Sequence, residues 1–367
     1  MTTSTNLFFH LISPTYSEIG NLSLHLHCIC NPNKTMNDNK HITLDEIKAP
    51  LVGEMTAYEH FLRTALHSES PYFDDILKYI FDTRGKGVRP ILVMLFAGLH
   101  NKGAKFGKRT HLAASLIELI HTASLVHDDV IDRAELRHGK SSINQKWGKR
   151  NAILTGDFIL SRIFEMGMES MEFDILTYVS HSIKWLCEGE VIQDEQTKTL
   201  AMTHEKYYDI IDKKTASLLA ISCGVGALSV GASAAEVDKA YEFGHNVGMA
   251  FQIKDDILDY ATADQTGKPT CADLREHKIT LPLLEAKGCV SAEEESRIRA
   301  LVGRTTTEEG AIEELRSFVN QHKGMERAER IMNDYLVAAK DALSHYPDSP
   351  YRTALYGMCD FLSQREK

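Results

Sequence analysis

Two short acidic patterns are the residues best placed to do chemistry: Asp128-Asp129-Val-Ile-Asp132 and Asp255-Asp256-Ile-Leu-Asp259. Each lies in a long apolar stretch without proline, which reads as helix. At about 100° per residue, positions i, i+1 and i+4 fall within an arc of roughly 100°, so the three carboxylates of each copy project to one side. Acids crowded on an apolar helix repel one another and lose solvation unless a cation neutralises them. Oxygen donors without accompanying His or Cys suit Mg²⁺, which is held by one or two carboxylates and the phosphates of a substrate. A lone DDxxD is as readily a solvated acidic helix end, but two copies in equivalent settings point to the jaws of a diphosphate clamp.

The surrounding chain must place both patterns. Between Pro90 and Pro269 there is no proline, although the sequence has nine. Apolar residues recur there at helical spacing, which predicts an all-α bundle of long helices around a central apolar cavity. His111 to Asp132 is apolar nearly all round, the signature of a central helix. Tyr241 to Tyr260 carries Gly244 and Gly248 one turn apart, a spacing that permits close helix contact. With these two helices antiparallel or splayed, both acidic clusters would face one cavity, an apolar tunnel with a charged mouth. Upstream, Thr43-x-x-Glu46 is a capping box, and Leu44, Ile47, Leu51, Met55, Tyr58, Leu62 and Leu66 continue it at helical spacing, with a kink expected at Pro50.

Composition narrows the class. The 367 residues carry a formal net charge of −10, which argues against nucleic acid as a partner. No apolar run approaches the roughly 20 residues that span a bilayer. Seven scattered cysteines, an odd number, read as reduced core residues of a cytoplasmic protein. Residues 1–40 differ from the rest: Thr, Ser, Asn and His abound, and no Lys or Arg precedes Lys34. They lack the basic region of a signal peptide and the arginines of a transit peptide. The expectation is a disordered extension, or a translated upstream segment if Met36 is the start, followed by one all-α domain over 41–367. Cys28-x-Cys30 has no second ligand pair at zinc spacing.

Seven stretches, in this order and spacing, resemble the trans-isoprenyl diphosphate synthases, or polyprenyl synthetases: GKGVRP (85–90), ELIHTASLVHDDVIDRAELRHGK (118–140), GD (156–157), EGEVIQ (188–193), KKTASL (213–218), FQIKDDILDY (251–260) and GKPTCADLREHKITLP (267–282). The resemblance covers roughly residues 43 to 367. It implies an all-α fold around a cavity, a homodimer, and three Mg²⁺ ions held by Asp128, Asp129, Asp132, Asp255, Asp256 and Asp259. The implied reaction is head-to-tail prenyl transfer from an allylic diphosphate to isopentenyl diphosphate. Lys214, Lys278 and Arg137 match positions that hold the leaving diphosphate. Gln252 and Thr215 match positions facing the allylic cation, and Glu190 and Gln193 match positions lining the metal site. Lys86, Arg89 and His121 match contacts to isopentenyl diphosphate.

The departures fall on that last site. The family usually shows two arginines where this chain has Arg137-His138, an arginine where it has Gly87, and glycines where it has Arg84 and His277. His138 replaces a permanent charge with a titratable one. The site is therefore expected to be weakened, pH-dependent, or compensated by Arg84. The residues four and five before the first cluster, Ser124 and Ala123, are small, which in the family leaves the tunnel open. A long all-trans product of about six to eight isoprene units is expected, with Ile120, Leu116, Phe158 and Phe164 as deeper candidates for the floor. A twenty-carbon product and a non-catalytic regulatory subunit are the alternatives. A terpene cyclase would carry an asymmetric second motif instead of a second DDxxD.

Overall fold

Helix α1 (Leu44–Lys48) opens on the predicted capping box: the Glu46 amide donates to the Thr43 hydroxyl at 3.3 Å, and the Thr43 amide donates to the Glu46 carboxylate at 2.9 Å. The structure, a computed structural model, describes residues 41–101, 106–261, 271–308 and 310–365. The expectations for residues 1–40, Cys28 and Cys30 included, lie outside them. At Pro50 the chain breaks into a 3₁₀ turn (Ala49–Leu51) before α2 (Val52–Ala65), because proline offers no amide to continue the ladder. The apolar stripe read from the sequence is the buried one: Ile47, Leu51, Tyr58, Leu62 and Leu66 are each at most 2% exposed.

Helices α3 (Pro71–Thr83), α4 (Val88–His100) and α5 (Lys108–Ile131) follow. Nine of the thirteen residues of α4 are buried, and α5 is buried over most of its circumference, as its composition requires. A two-stranded hairpin then interrupts the all-α pattern, β1 (Leu136–Arg137) pairing antiparallel with β2 (Lys140–Ser141). Its turn is His138-Gly139, both with left-handed φ (50° and 77°), the combination a two-residue hairpin turn needs to match strand twist. Helical periodicity carries no signal for this turn.

Next come α6 (Ile143–Trp147), α7 (Lys149–Glu169), α8 (Phe173–Thr199), α9 (His204–Ile211), α10 (Ser217–Ser229) and α11 (Ala234–Asp259). Between α9 and α10, Asp212–Ala216 forms a π-helical turn. Helix α11 starts at Ala234, not Tyr241, on a second capping box of Ser233 and Glu236. Short α12 (Ala272–Arg275) and α13 (Leu281–Lys287) lead to α14 (Ala292–Val302), α15 (Ala311–Gln321), α16 (Gly324–Ala342) and α17 (Pro350–Gln364).

Helix α10 sits at the centre, against α4, α5 and α11, while α7 covers α5 and α16 covers α11. The predicted close approach at Gly244 and Gly248 is real: a Cβ on Gly248 would lie 2.4 Å from the Ala216 Cα, and one on Gly244 2.6 Å from the Leu219 carbonyl oxygen. Phe96 on α4 and Phe243 on α11 meet with ring centroids 5.3 Å apart. Cys223, Cys271 and Cys359 are buried core thiols, but Cys187 and Cys289 are exposed, so the reading of the cysteines as core residues fails for those two. Among the described residues no helix is long and apolar enough to cross a membrane.

Candidate active site

Both acidic clusters occupy the C-terminal end of a long helix, α5 and α11, and neither last turn contains a basic residue. The helix macrodipole makes each carboxylate there unfavourable by roughly 0.3–1 kcal/mol, before any repulsion among the acids. The carboxylates of Asp128 and Asp132, one turn apart, make no hydrogen bond or ion pair among the described residues. Burial pushes Asp128 up to about 6, with Lys214 pulling the other way. Burial raises Asp132 as well, against the pull of Lys278. Asp129 is buried and already paired: Arg137 forks onto its Oδ1, with Nε at 2.9 Å.

The second cluster is held more tightly by the protein. Tyr207 Oη donates to Asp256 Oδ2 at 2.6 Å and Gln252 Nε2 donates to Asp256 Oδ1 at 2.9 Å. Thr215 Oγ1 donates to Gln252 Oε1 at 2.7 Å, which fixes the orientation of that amide. Burial, then the neighbouring Asp273, holds the Asp256 carboxyl well above the ordinary carboxylate range. Asp259 accepts the backbone amides of Ala272 and Asp273 at 2.9 and 3.1 Å, and Asp255 pairs with Arg365 at 2.6 Å. Each triad shares a side of its helix as its spacing requires. Among the described residues, however, no three His, Cys, Asp or Glu side chains converge as a ready-made metal site. Most of these carboxylates turn toward separate protein partners.

Two lysines act on these acids, and one of them, Lys278, spans both clusters. Lys214 projects from the π turn, forms an ion pair with Glu190 of α8, and acts on both Asp128 and Asp132. That turn packs against Gly189, where a Cβ would lie 2.8 Å from the Lys214 Cγ. Lys278 acts on Asp132 of the first cluster and Asp259 of the second. Burial works against its charge, but its 2.6 Å contact with Glu276, followed by Asp273 and Asp132, more than offsets this and raises its pKa. Gln193 is half-buried on α8 near the same face.

A cavity of about 430 Å³ opens beside Asp129. Lys86, Arg89 and His121, expected to bind the second anion, line it together with Arg137, expected to hold the leaving diphosphate, and His138; so do Arg84, Glu118 and Arg365. Its wall thus holds five permanent cations, Arg84, Lys86, Arg89, Arg137 and Arg365, against two carboxylates, Glu118 and Asp129. The hairpin delivers Arg137 and His138, and it is pinned to the end of α3. Lys140 Nζ donates to the Asp82 carbonyl at 2.8 Å, and His138 Nδ1 lies 3.1 Å from the Thr83 carbonyl. A carbonyl only accepts, so Nδ1 carries a proton; the neutral ring has no second N–H to offer an anion. Burial pushes the Arg89 guanidinium down to about 10, with Glu118 opposing. Burial, then Arg89, holds His121 well below its ordinary value, so it is neutral at pH 7. Two groups of cations, one at the acidic clusters and one in the cavity, suit two separate phosphate-bearing ligands.

The family model for polyprenyl synthetase matches residues 70–319. Heptaprenyl diphosphate synthase component 2 of Geobacillus stearothermophilus is 35% identical over 324 residues, covering 86% of this chain and 97% of that protein. The chain belongs to the polyprenyl synthetase family. Octaprenyl diphosphate synthase of Haemophilus influenzae is 31% identical over 318 residues, covering 86% of this chain and 95% of that protein. The crystal structure of a polyprenyl synthase from Caulobacter crescentus, complexed with calcium and isoprenyl diphosphate, matches with a TM-score of 0.79 at 30% identity, covering 90% of this chain and 100% of that one. This polyprenyl synthetase is accordingly a prenyltransferase with the all-α isoprenoid synthase fold.

The four chain-length candidates are placed less uniformly. Ala123 is buried, and the Ser124 hydroxyl donates to the His121 carbonyl at 2.9 Å. Phe158 stacks edge-on with Phe73, centroids 4.9 Å apart. Phe164 is 41% exposed, which does not suit the expected interior floor of a single chain. The inward stripe of α7 runs through Ala152, Thr155, Ile159, Ile163 and Met166, and Phe164 falls off it. Ile120 and Leu116 are fully inside. None of the four lines the 430 Å³ cavity.

Three residues at the site carry little or no signal in the sequence. Tyr207 has no spacing signal, since its link to Asp256 crosses between helices. Arg365 comes from the far end of the chain. Asp273 stands five residues before Lys278, whose amide donates to its carbonyl at 2.8 Å. Its carboxyl is pushed up to about 6 by burial and then by Asp259. This extra acid within the GKPTCADLREHKITLP stretch is the available clue.

Proposed function

We propose that this prenyltransferase condenses isopentenyl diphosphate with an allylic diphosphate, head to tail, to give a longer all-trans polyprenyl diphosphate and free diphosphate. The observation that carries the reading is the convergence of Lys86, Arg89, His121, Arg137 and His138 on one cavity bounded by Asp129 of the first acidic cluster. The allylic carbon–oxygen bond breaks with its electron pair leaving on the diphosphate. The double bond of isopentenyl diphosphate forms the new carbon–carbon bond, and a proton is lost to restore an allylic product. Lys214 and Lys278, at the mouth between the clusters, hold the departing diphosphate as point charges. Thr215 and Gln252 set a dipole beside the reacting carbon.

The donor chemistry fits Mg²⁺: six carboxylates, no sulfur or imidazole, at dipole-disfavoured helix ends where burial raises Asp128, Asp132, Asp256 and Asp259. Asp128 and Asp132 offer open oxygens, while Asp255, Asp256 and Asp259 would share theirs with the partners described above. A bound divalent ion supplies charge neutralisation for the leaving diphosphate. We further propose a homodimer, three ions per site and a long-chain product. The long-chain reading is supported by the small residues Ala123 and Ser124.

The test is incubation of the purified protein with Mg²⁺, labelled isopentenyl diphosphate and farnesyl diphosphate, with products resolved by chain length. A ladder ending at about thirty carbons or more supports the long-chain synthase. A single twenty-carbon product keeps the chemistry and overturns the long-chain reading. Asp128→Ala should lower turnover by at least ~100-fold. No product under any of these conditions would instead favour a regulatory subunit.

A further inference from the structure

The loop between α3 and α4 feeds the cavity, and its conformation decides which of its residues can do so. It reaches α4 through Gly87 at φ +66°, ψ 38°, a left-handed conformation in which any L side chain is strained. Position 87, where the resemblance to the family implies an arginine, is thus restricted here to glycine. Arg84, where it implies glycine, follows the end of α3 with extended backbone (φ −57°, ψ 151°) and lines the cavity together with Lys86 and Arg89.

Arg84 has protein neighbours, its guanidinium lying 5.5 Å from the Phe81 ring centroid, but among the described residues no carboxylate pairs with it directly. It lies beside the buried Tyr58 hydroxyl and acts on the buried Glu118, which also acts on Arg89. Its Nε is buried and, among the described residues, has no hydrogen-bond partner; the same is true of Arg89 Nε. A buried donor of this kind costs free energy unless a ligand satisfies it. One carboxylate, Glu118, stands between two arginines, which leaves the pair an excess of positive charge facing the cavity.

From this geometry we infer that Arg84 is a diphosphate-binding residue of the second substrate pocket, replacing the charge absent at Gly87 and supplementing His138. The inference rests on the reading of this cavity as the isopentenyl diphosphate site. Arg84 donates to phosphate oxygens from its planar fork.

The experiment is calorimetric titration of the full-length protein with isopentenyl diphosphate in EDTA, repeated for Arg84→Gly and Arg84→Gln, with steady-state kinetics of each in Mg²⁺. Both variants should bind about 10- to 100-fold more weakly. KM for isopentenyl diphosphate should rise in parallel, while kcat and the KM for the allylic substrate stay within about twofold. Arg84→Gln retains the apolar stem and a polar group for Tyr58, so it keeps the test valid if the glycine variant is unstable. A purely structural Arg84, present only to neutralise Glu118, predicts that Arg84→Gln combined with Glu118→Gln regains wild-type affinity, and that result overturns the inference. Unchanged affinity in Arg84→Gln also overturns it. If the wild-type protein binds no isopentenyl diphosphate and forms no product, the reading of the cavity itself fails, and the assignment with it.

Discussion

Tyr207 on α9 donates a 2.6 Å hydrogen bond to Asp256 on α11, reaching a carboxyl that is 3% exposed. The bond, with that from Gln252, fixes both Asp256 oxygens, so the second acidic cluster is oriented by a helix that carries none of its acids. Tyr207→Phe removes one of these donors and leaves the ring in place. The expected loss is about 1 kcal/mol of stability and roughly 10-fold or more in turnover. Thermal unfolding and steady-state kinetics measure both, and unchanged turnover would show that Gln252 alone suffices to orient Asp256.

Gly248 touches the π turn that carries Lys214 and Thr215. A methyl group at this position would stand 2.4 Å from the Ala216 Cα, so Gly248→Ala must push α11 and the turn apart. Overpacking of this kind costs roughly 1–3 kcal/mol. Denaturant melts should show that loss, and activity should fall further than stability because Thr215 and Gln252 move out of hydrogen-bonding register. A stable, fully active alanine variant is incompatible with so tight a contact.

Glu285 on α13 ties three helices together, receiving His204 at 3.0 Å from α9 and Arg327 at 3.4 Å from α16. The hydrogen bond from His204 is the main cause that holds its carboxyl below the ordinary 4.5, against some burial. Because the folded-state value is the lower one, the unfolded chain takes up the proton first. The stabilisation is therefore complete above about pH 4.5 and fades as pH falls through the lower folded-state value. Glu285→Gln should cost about 0.5–1 kcal/mol at pH 7 and close to nothing in strong acid. A stability difference that stays constant across this range would argue against the linkage.

Ser124 sits one turn before Asp128 on α5, its hydroxyl turned back onto the His121 carbonyl. Ser124→Phe places a large ring on the approach to the acidic cluster and should shift the product distribution toward shorter chains without abolishing turnover. Chromatography of dephosphorylated products reads this directly. An unaltered distribution would mean that chain growth runs along another face of α5.

Legible in the sequence are the two acidic triads, the helices that carry them and the close approach that Gly244 and Gly248 permit, though not that α10 and the π turn are its partners. These depend on local period: carboxylates at i, i+1 and i+4, apolar residues at 3.6 spacing, and glycines one turn apart. Lys86, Arg89, His121, Arg137 and His138 are singled out by the resemblance to the family and not by local period, and they line one cavity. What only the tertiary structure decided is the partner of each charged group. Asp129 is matched by Arg137, which stands eight residues on in strand β1, beyond the end of α5. Asp255 is matched by Arg365, far along the chain, and Arg84 lines the cavity from the end of α3. Phe164 departs from expectation because a helix buries one stripe, and which neighbour covers α7 is not written in α7. Hydrogen bonds and ion pairs between segments depend on distances that packing sets, and local sequence fixes only the face from which each side chain starts.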